Sequence, residues 1–291
     1  MLQEAGTFIT VYISVITFML GASFGSFLTC VSDRLALHET VVRSNSHCPS
    51  CGHRLGVPDL VPVFSWIFLK GRCRYCKGKI PVSCLITELV MGTAFLTMLL
   101  YFDISWDLLT GLVLVCICFT GSMTDIITGE IPNILSVLFC IIWATTIPLH
   151  IKGIWSYLID SAIGGLGMPL FLMIMAIVME NFLGREALGG GDIKILCPAG
   201  LILGWKNMLV ALLVMCITGL MFAGIRALLR LRKEQKEQKE KDKNENRITD
   251  ADTAPEDGST IKLMPFISLG VFTAFVFGEA LTGLYMGLFG I

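Results

Sequence analysis

The sequence predicts an all-α polytopic membrane protein of about eight transmembrane helices, with a small cytosolic zinc-binding domain between helices 1 and 2. Three observations carry that prediction. The 291-residue chain is 54% hydrophobic with a mean hydropathy of +0.75, more apolar than a water-soluble domain. Its apolar residues gather in uncharged runs long enough to cross a bilayer. Four cysteines form two Cys-x-x-Cys pairs in the largest polar stretch between those runs, the pattern of a zinc site.

The first run, Ala5 to Ser32, carries no charge and exceeds the roughly 20 helical residues that cross a hydrocarbon core. A cleavable signal peptide is the alternative, but nothing basic precedes the run and it is longer than a signal's apolar region. Residues 1–32 are therefore the first transmembrane helix. Residues 33–80 form a cytosolic domain with Cys48-Pro49-Ser50-Cys51 and Cys73-Arg74-Tyr75-Cys76. Each pair sets two thiolates on one tight turn, and four thiolates fill a tetrahedral zinc shell, so the metal is structural. A disulfide reading conflicts with a reducing compartment. His47 and His53 adjoin the first pair as rival ligands or as exposed loop histidines. The remaining cysteines lie in or beside apolar runs, where thiols act as small hydrophobes.

Residues 81–231 form a transmembrane core, with spans at roughly 80–101, 108–124, 131–150, 161–180, 193–204 and 207–225. Between them a short loop, Asn181 to Gly191, ends in three glycines. Residues 232–262 are a charged linker in which glutamates nearly balance lysines. That balance predicts a helix running out of the seventh span into disorder, and no nucleic-acid partner. Residues 263–291 are the last transmembrane helix. With the N-terminus outside, the inner connections hold Arg34, Arg43, Arg54, Lys70, Arg72, Arg74, Lys77, Lys79, Arg185, Lys194 and the cations from Arg226 to Lys262. Only Lys152 and Lys206 fall outside. The positive-inside rule selects this orientation.

Two aspartates then face the cytosol. Asp125 closes the third span and Asp192 opens the sixth. A carboxylate at the edge of hydrocarbon is costly unless paired or wetted, so two at corresponding edges predict a working acid pair. Glu88 is a third acid, near the cytosolic end of the second span, placed to position the zinc domain or substrate, or to snorkel. Two other classes are compatible with these features: a transporter binding a cation at Asp125, Asp192 and Glu88, and an adaptor built on the zinc module. The adaptor leaves the acid pair unexplained.

Taken together, the motifs resemble the type IV prepilin peptidases of the Gly-x-Gly-Asp intramembrane aspartyl protease group. The resemblance begins at Gly25-Ser26-Phe27-Leu28 and Arg34-Leu35 and passes through the cysteine pairs with Pro62-Val63-Phe64-Ser65-Trp66 between them. It continues through Glu88-Leu89, Asp125 with Ile131-Pro132-Asn133, and Gly189-Gly190-Gly191-Asp192-Ile193-Lys194, to Pro265-Phe266. Thr29 and Ile267 depart from the family pattern, which usually has asparagine and glycine there. The resemblance implies that residues 81–231 are an aspartyl protease core in a bacterial cytoplasmic membrane, acting on prepilins or pseudopilins. It also implies N-methylation of the new N-terminus from S-adenosylmethionine.

Dipoles at the two helix ends predict Asp192 as base and Asp125 as acid. The sixth span, about 18 Å long at 1.5 Å per residue, is too short for the core. Asp192 therefore sits below the surface in a polar cleft, with Lys194 lining it or snorkelling outward. Gly189, Gly190 and Gly191 let a substrate backbone approach closely, or serve as an interhelical turn.

Overall fold

The computed structural model describes residues 6–36, 47–48, 50–183, 189–243 and 262–289. Within them the long elements are all helical: α1 (Thr7–Ala36), the short α2 (Phe64–Phe68), α3 (Val82–Phe102), α4 (Trp106–Thr128) and α5 (Asn133–Thr146), then α6 (Ile154–Ala162), α7 (Met168–Leu183), α8 (Gly190–Lys243) and α9 (Met264–Phe289). Hydrocarbon forces this, because a helix satisfies every backbone donor within its own segment. Among the described residues the only strand-like pairings are two isolated bridges, His47 with Arg54 and Arg72 with Lys79, both in the cysteine module. Helix α1 runs four residues past the expected end at residue 32. Helix α8 continues to Lys243, as the charged run predicted. Residues 244–261 of that linker, the first residues of the first span and most of the loop before Gly189 lie outside the described residues.

Among the described residues six helical stretches are long and apolar enough to cross a membrane: Thr7–Leu35, Val82–Phe102, Trp106–Thr128, Asn133–Val178, Gly190–Arg232 and Met264–Leu284. Two of them, of 46 and 43 residues, would exceed about 60 Å as straight helices, twice a hydrocarbon core. Both are broken. In the first, a 3₁₀ segment at Ile147–Gly153 contains Pro148 and leaves helical geometry at His150. Tyr157 fastens that corner, its hydroxyl 2.6 Å from Thr146 Oγ1 and its ring stacked 4.1 Å from His150. In the second, Gly204 takes φ 71°, ψ 174°, a conformation only glycine adopts without strain. The Asp160 carboxylate lies against Gly204, beside the start of the helical segment that follows, where negative charge is favoured.

Close backbone contact sets the remaining geometry. The π-helical turn Ile163–Gly167 joins α6 to α7 and packs on the first half of α8. A Cβ on Gly164 would stand 2.6 Å from the Gly200 carbonyl oxygen. Small residues give membrane helices this proximity, which stands in for the hydrophobic drive that lipid removes. Gly21 and Gly25 do the same for α1, seated over Met91 and Phe95 of α3. One core joins α4, α5, α8 and α9 through Leu114, Phe139, Leu196, Met208, Met264 and Val271. A second joins α3, α4 and α9 through Met91, Phe95, Met98, Val115 and Val276.

Gly200→Ala should therefore overpack the α8 contact and cost about 1–3 kcal/mol, read as a lower thermal midpoint in detergent. Gly219→Ala, on the same helix with nothing within 4 Å of its Cβ position, should cost no stability. Equal melting of the two variants would refute the close-approach account.

Candidate active site and metal centre

Helix α4 starts where the Ser105 hydroxyl accepts the Leu108 N–H at 3.1 Å. It stops at Gly129, whose left-handed φ of 75° lets its N–H reach the Asp125 carbonyl at 2.9 Å. Pro132 then prevents continuation, and α5 begins at Asn133. Asp125 thus occupies the last full turn of α4, 6% exposed. Its Oδ2 accepts the N–H of Met264, the first residue of α9, at 3.1 Å. Lys262, two residues earlier, donates from Nζ to the Ile126 carbonyl. The α4–α9 pairing is reinforced by Ser268, 2.7 Å from Ser122 Oγ and donating to the Cys118 carbonyl at 2.9 Å.

Asp192 stands in the first turn of α8, its N–H donating to Gly189 O at 3.1 Å. A Cβ on Gly189 would lie 3.2 Å from Asp192 Oδ2, and one on Gly191 would lie 3.6 Å from Ile131. Glycine at 189 leaves room for the acid, whereas a side chain at 191 would meet Ile131 at ordinary contact distance. Lys194 Nζ donates to Asn133 Oδ1 at 3.4 Å, tying the starts of α8 and α5 together.

Asp125 and Asp192, 67 residues apart in the chain, open on one cavity of about 930 Å³. They are near enough for the Asp125 charge to act on Asp192. Gly189, Gly191, Lys194 and Asn133 line the same space, as do Glu130, Lys262 and the α8 face of Cys216, Gly219 and Ala223. Gly190 does not line it, and neither does Glu88. The three-acid cation site of the transporter alternative is therefore not assembled, and two lysines share the space with the aspartates. Lys262 and the Met264 N–H went unread in the sequence because a linker lysine and a backbone amide carry no motif.

Glu88 has a different task. It is 8% exposed, and Oε2 accepts the Val63 N–H at 2.7 Å. Val63 holds φ 63°, ψ −53° in a three-residue turn closed by the Phe64 N–H on Pro62 O at 2.6 Å. A β-branched residue rarely takes this strained geometry. The carboxylate that fixes it couples the cysteine module to α3.

In that module the Sγ atoms of Cys48, Cys51, Cys73 and Cys76 all lie within 4.8 Å of one another and can hold a metal ion. The two turns are alike: Gly52 N–H reaches Cys48 O at 2.8 Å, and Lys77 N–H reaches Cys73 O at 3.0 Å. Tetrahedral thiolates about 2.3 Å from zinc stand about 3.8 Å apart, and Cys48 and Cys76 are already 3.9 Å apart. The Ser50 and Cys51 amides draw the Cys48 thiol down to about 6, so one ligand is ionised readily. His47 and His53 are not in the cluster, and the His53 ring lies against Tyr75, centroids 3.7 Å apart and tilted by 36°. Asp59 braces the module by accepting from Arg74 Nε at 2.7 Å. Burial opposes its anion, but the Gly56 amide, Arg74 and Tyr75 outweigh that and hold it below the usual carboxylate range.

Comparison with known proteins finds two family matches in this chain. A profile described as the bacterial peptidase A24 N-terminal domain matches residues 19–102, and the type IV leader peptidase family matches residues 112–224. The chain belongs to the type IV leader peptidase family. It is similar to a prepilin leader peptidase/N-methyltransferase of Myxococcus xanthus, 32% identical over 212 residues, which are 71% of this chain and 61% of that protein. A protein of the same name from Bacillus subtilis is 26% identical over 93% of this chain and 97% of its own. One from Stutzerimonas stutzeri is 23% identical over 97% and 90%. The matches thus span about three fifths of the M. xanthus protein and nearly all of the B. subtilis one. No solved structure matches the chain.

Loading the purified family member with Co²⁺ should produce thiolate charge-transfer absorption that Cys73→Ser weakens by more than half, while His53→Ala leaves it unchanged. Loss of the band in His53→Ala instead would replace the four-cysteine assignment.

Proposed function

We propose that this leader peptidase family member cleaves the basic leader from type IV prepilins or pseudopilins at the cytosolic membrane face, using Asp125 and Asp192, and then N-methylates the new N-terminus. The observation that carries the reading is the convergence of the two aspartates, from the end of α4 and the start of α8, on one cavity of about 930 Å³. The breaks at Ile147–Gly153 and Gly204 divide the two longest stretches into two crossings each, giving eight. The distribution of lysine and arginine puts the N-terminus outside and the cavity on the cytosolic side. The membrane is then the bacterial inner one.

The acid–base roles reverse the dipole argument made from sequence. Asp125 does end a helix, but it also accepts an N–H at the positive N-terminal end of α9, with the Lys262 ammonium nearby. Those donors favour the carboxylate. Asp125 is therefore the base and Asp192 the acid. A water between them gives its proton to Asp125 as its oxygen attacks the scissile carbonyl carbon. Asp192 gives its proton to the carbonyl oxygen. As the tetrahedral diol collapses, the C–N bond breaks, the departing amine takes the proton from Asp125, and a diol hydroxyl returns one to Asp192. Close acids sharing one proton suit this cycle.

The substrate's apolar helix packs on the α8 face where Cys216, Gly219 and Ala223 present little bulk, and exposed Glu130 on the rim complements the basic leader. The metal is zinc, held by Cys48, Cys51, Cys73 and Cys76. Four thiolates leave it no open position, so its role is structural. S-adenosylmethionine supplies an electrophilic methyl group to the amine that cleavage exposes, as the relatives' names imply.

Incubating the protein with prepilin-type peptides and a deuterated methyl donor, with mass spectrometry of both products, tests the whole reading. Asp125→Ala and Asp192→Ala should each lower cleavage by about 10³-fold or more. An intact rate in either variant would remove the dyad. Cleavage without label on the new N-terminus would remove methylation alone.

Lys262→Gln, which keeps length and loses charge, should lower kcat by about tenfold with little change in KM. A rise in KM at constant kcat would make Lys262 a substrate contact instead.

A further inference from the structure

The first cytosolic segment carries an apolar surface that the peptidase reading does not use. Helix α2 exposes Phe64, Ile67 and Phe68 at spacings that share one face. Phe68 is 80% exposed and Val57, on the preceding turn, 81%. The Phe64 and Phe68 rings stack 6.4 Å apart. A water-soluble module would bury such a cluster or use it as an interface.

Its depth identifies what covers it. Glu88 is the seventh residue of α3, about 9 Å along the helix from Val82 at 1.5 Å per residue. All 21 residues of α3 are needed to cross a core of about 30 Å. The Val63 N–H reaches the Glu88 carboxylate at 2.7 Å, so the chain before α2 lies beside the membrane-crossing part of α3, not above it. The strained turn at Val63 sets the direction in which α2 leaves.

Charge points the same way. From His47 to Pro81 the sequence holds six lysines and arginines and one carboxylate, Asp59, which Arg74 already occupies. Among the described residues Lys70, Arg72 and Lys77 pair with no acid, and with Phe68 they line a recess of about 350 Å³. Two negative charges on a zinc tetrathiolate would still leave the module cationic. Apolar residues flanked by cations are the pattern of a helix lying in the headgroup boundary of an anionic leaflet.

We infer that α2 is an interfacial element that seats Phe64, Ile67 and Phe68 in the inner leaflet while Lys70, Arg72 and Lys77 hold anionic phospholipid headgroups. The choice of leaflet rests on the orientation proposed above; the insertion itself does not.

The test uses the full-length protein in nanodiscs, with an environment-sensitive fluorescent amino acid replacing Phe68 in one sample and Tyr75 in another. Shallow doxyl-labelled phospholipid should quench the probe at 68 at least twofold more than the probe at 75, and aqueous iodide should do the reverse. Raising phosphatidylglycerol from zero to 40% of the lipid should increase doxyl quenching at 68 about twofold. The Lys70→Gln/Arg72→Gln/Lys77→Gln variant should abolish that increase. Iodide quenching at 68 without doxyl quenching would overturn insertion. Protection of 68 only after a prepilin-type peptide is added would make the face a substrate dock and overturn the lipid assignment. Indifference of the unaltered protein to phosphatidylglycerol would overturn the headgroup assignment. In vesicles with doxyl lipid confined to the outer leaflet, quenching at 68 would refute the orientation and leave insertion standing.

Discussion

The structure depends on how a carboxylate survives at the boundary of hydrocarbon. Asp125 is nearly buried, and an ionised acid without partners there would neutralise or draw in water. It is held because the last helix begins beside it and offers the Met264 N–H, one of the amides that a helix N-terminus leaves unmatched. Two incomplete structures therefore complete each other: an acid short of donors and a helix end short of acceptors. The Ser122–Ser268 contact and the core around Leu114, Met264 and Val271 keep the two ends in register.

The second acid comes from backbone shape more than from side-chain partners. Non-helical backbone at membrane depth is tolerated where it is buried in protein or lines a cavity, and this chain uses both. At Gly204 the break is covered by Asp160. At Gly189 it faces the cavity. Helix α8 could not meet the Ile163–Gly167 turn so closely with side chains at Gly164 and Gly200, and that meeting fixes where Asp192 starts. The glycines of the first half of α8 thus serve the same site as the acid, from up to 12 residues away.

Much of this was legible in the chain. Uncharged runs reveal spans because lipid excludes charge, and the paired cysteines point to a metal site because each pair sets two thiolates on one tight turn. The aspartates stood out for the same reason, as charges where none is cheap. What stayed hidden were partners without a chemical signature of their own. Met264 reads as one more apolar residue and Lys262 as the end of a charged linker, so the dipole argument weighed only the helices containing the acids. Glu88 was noticed, but its partner is a backbone N–H in a strained turn 25 residues away. The departures from the family pattern are absorbed locally. The Thr29 hydroxyl bonds to Gly25 O in its own helix at 2.8 Å, and Ile267 fills the core where a glycine would leave a gap.

The soluble module and the cavity are also mechanically related, although no described side chain of the module lines the cavity. Glu88 fastens Val63 to α3, α3 packs on α4 through Phe95, Met98 and Val115, and α4 carries Asp125. The module can therefore act on the site only through the placement of α3 and α4, not through contact with the acids. On the proposed reading the substrate has an apolar part within the bilayer and a basic leader in the cytosol, and a module pinned at the depth of Glu88 spans that boundary. Were it free to move on a loop, the entropy of fixing it would fall on each binding event. Anchoring it during folding removes that cost before substrate arrives.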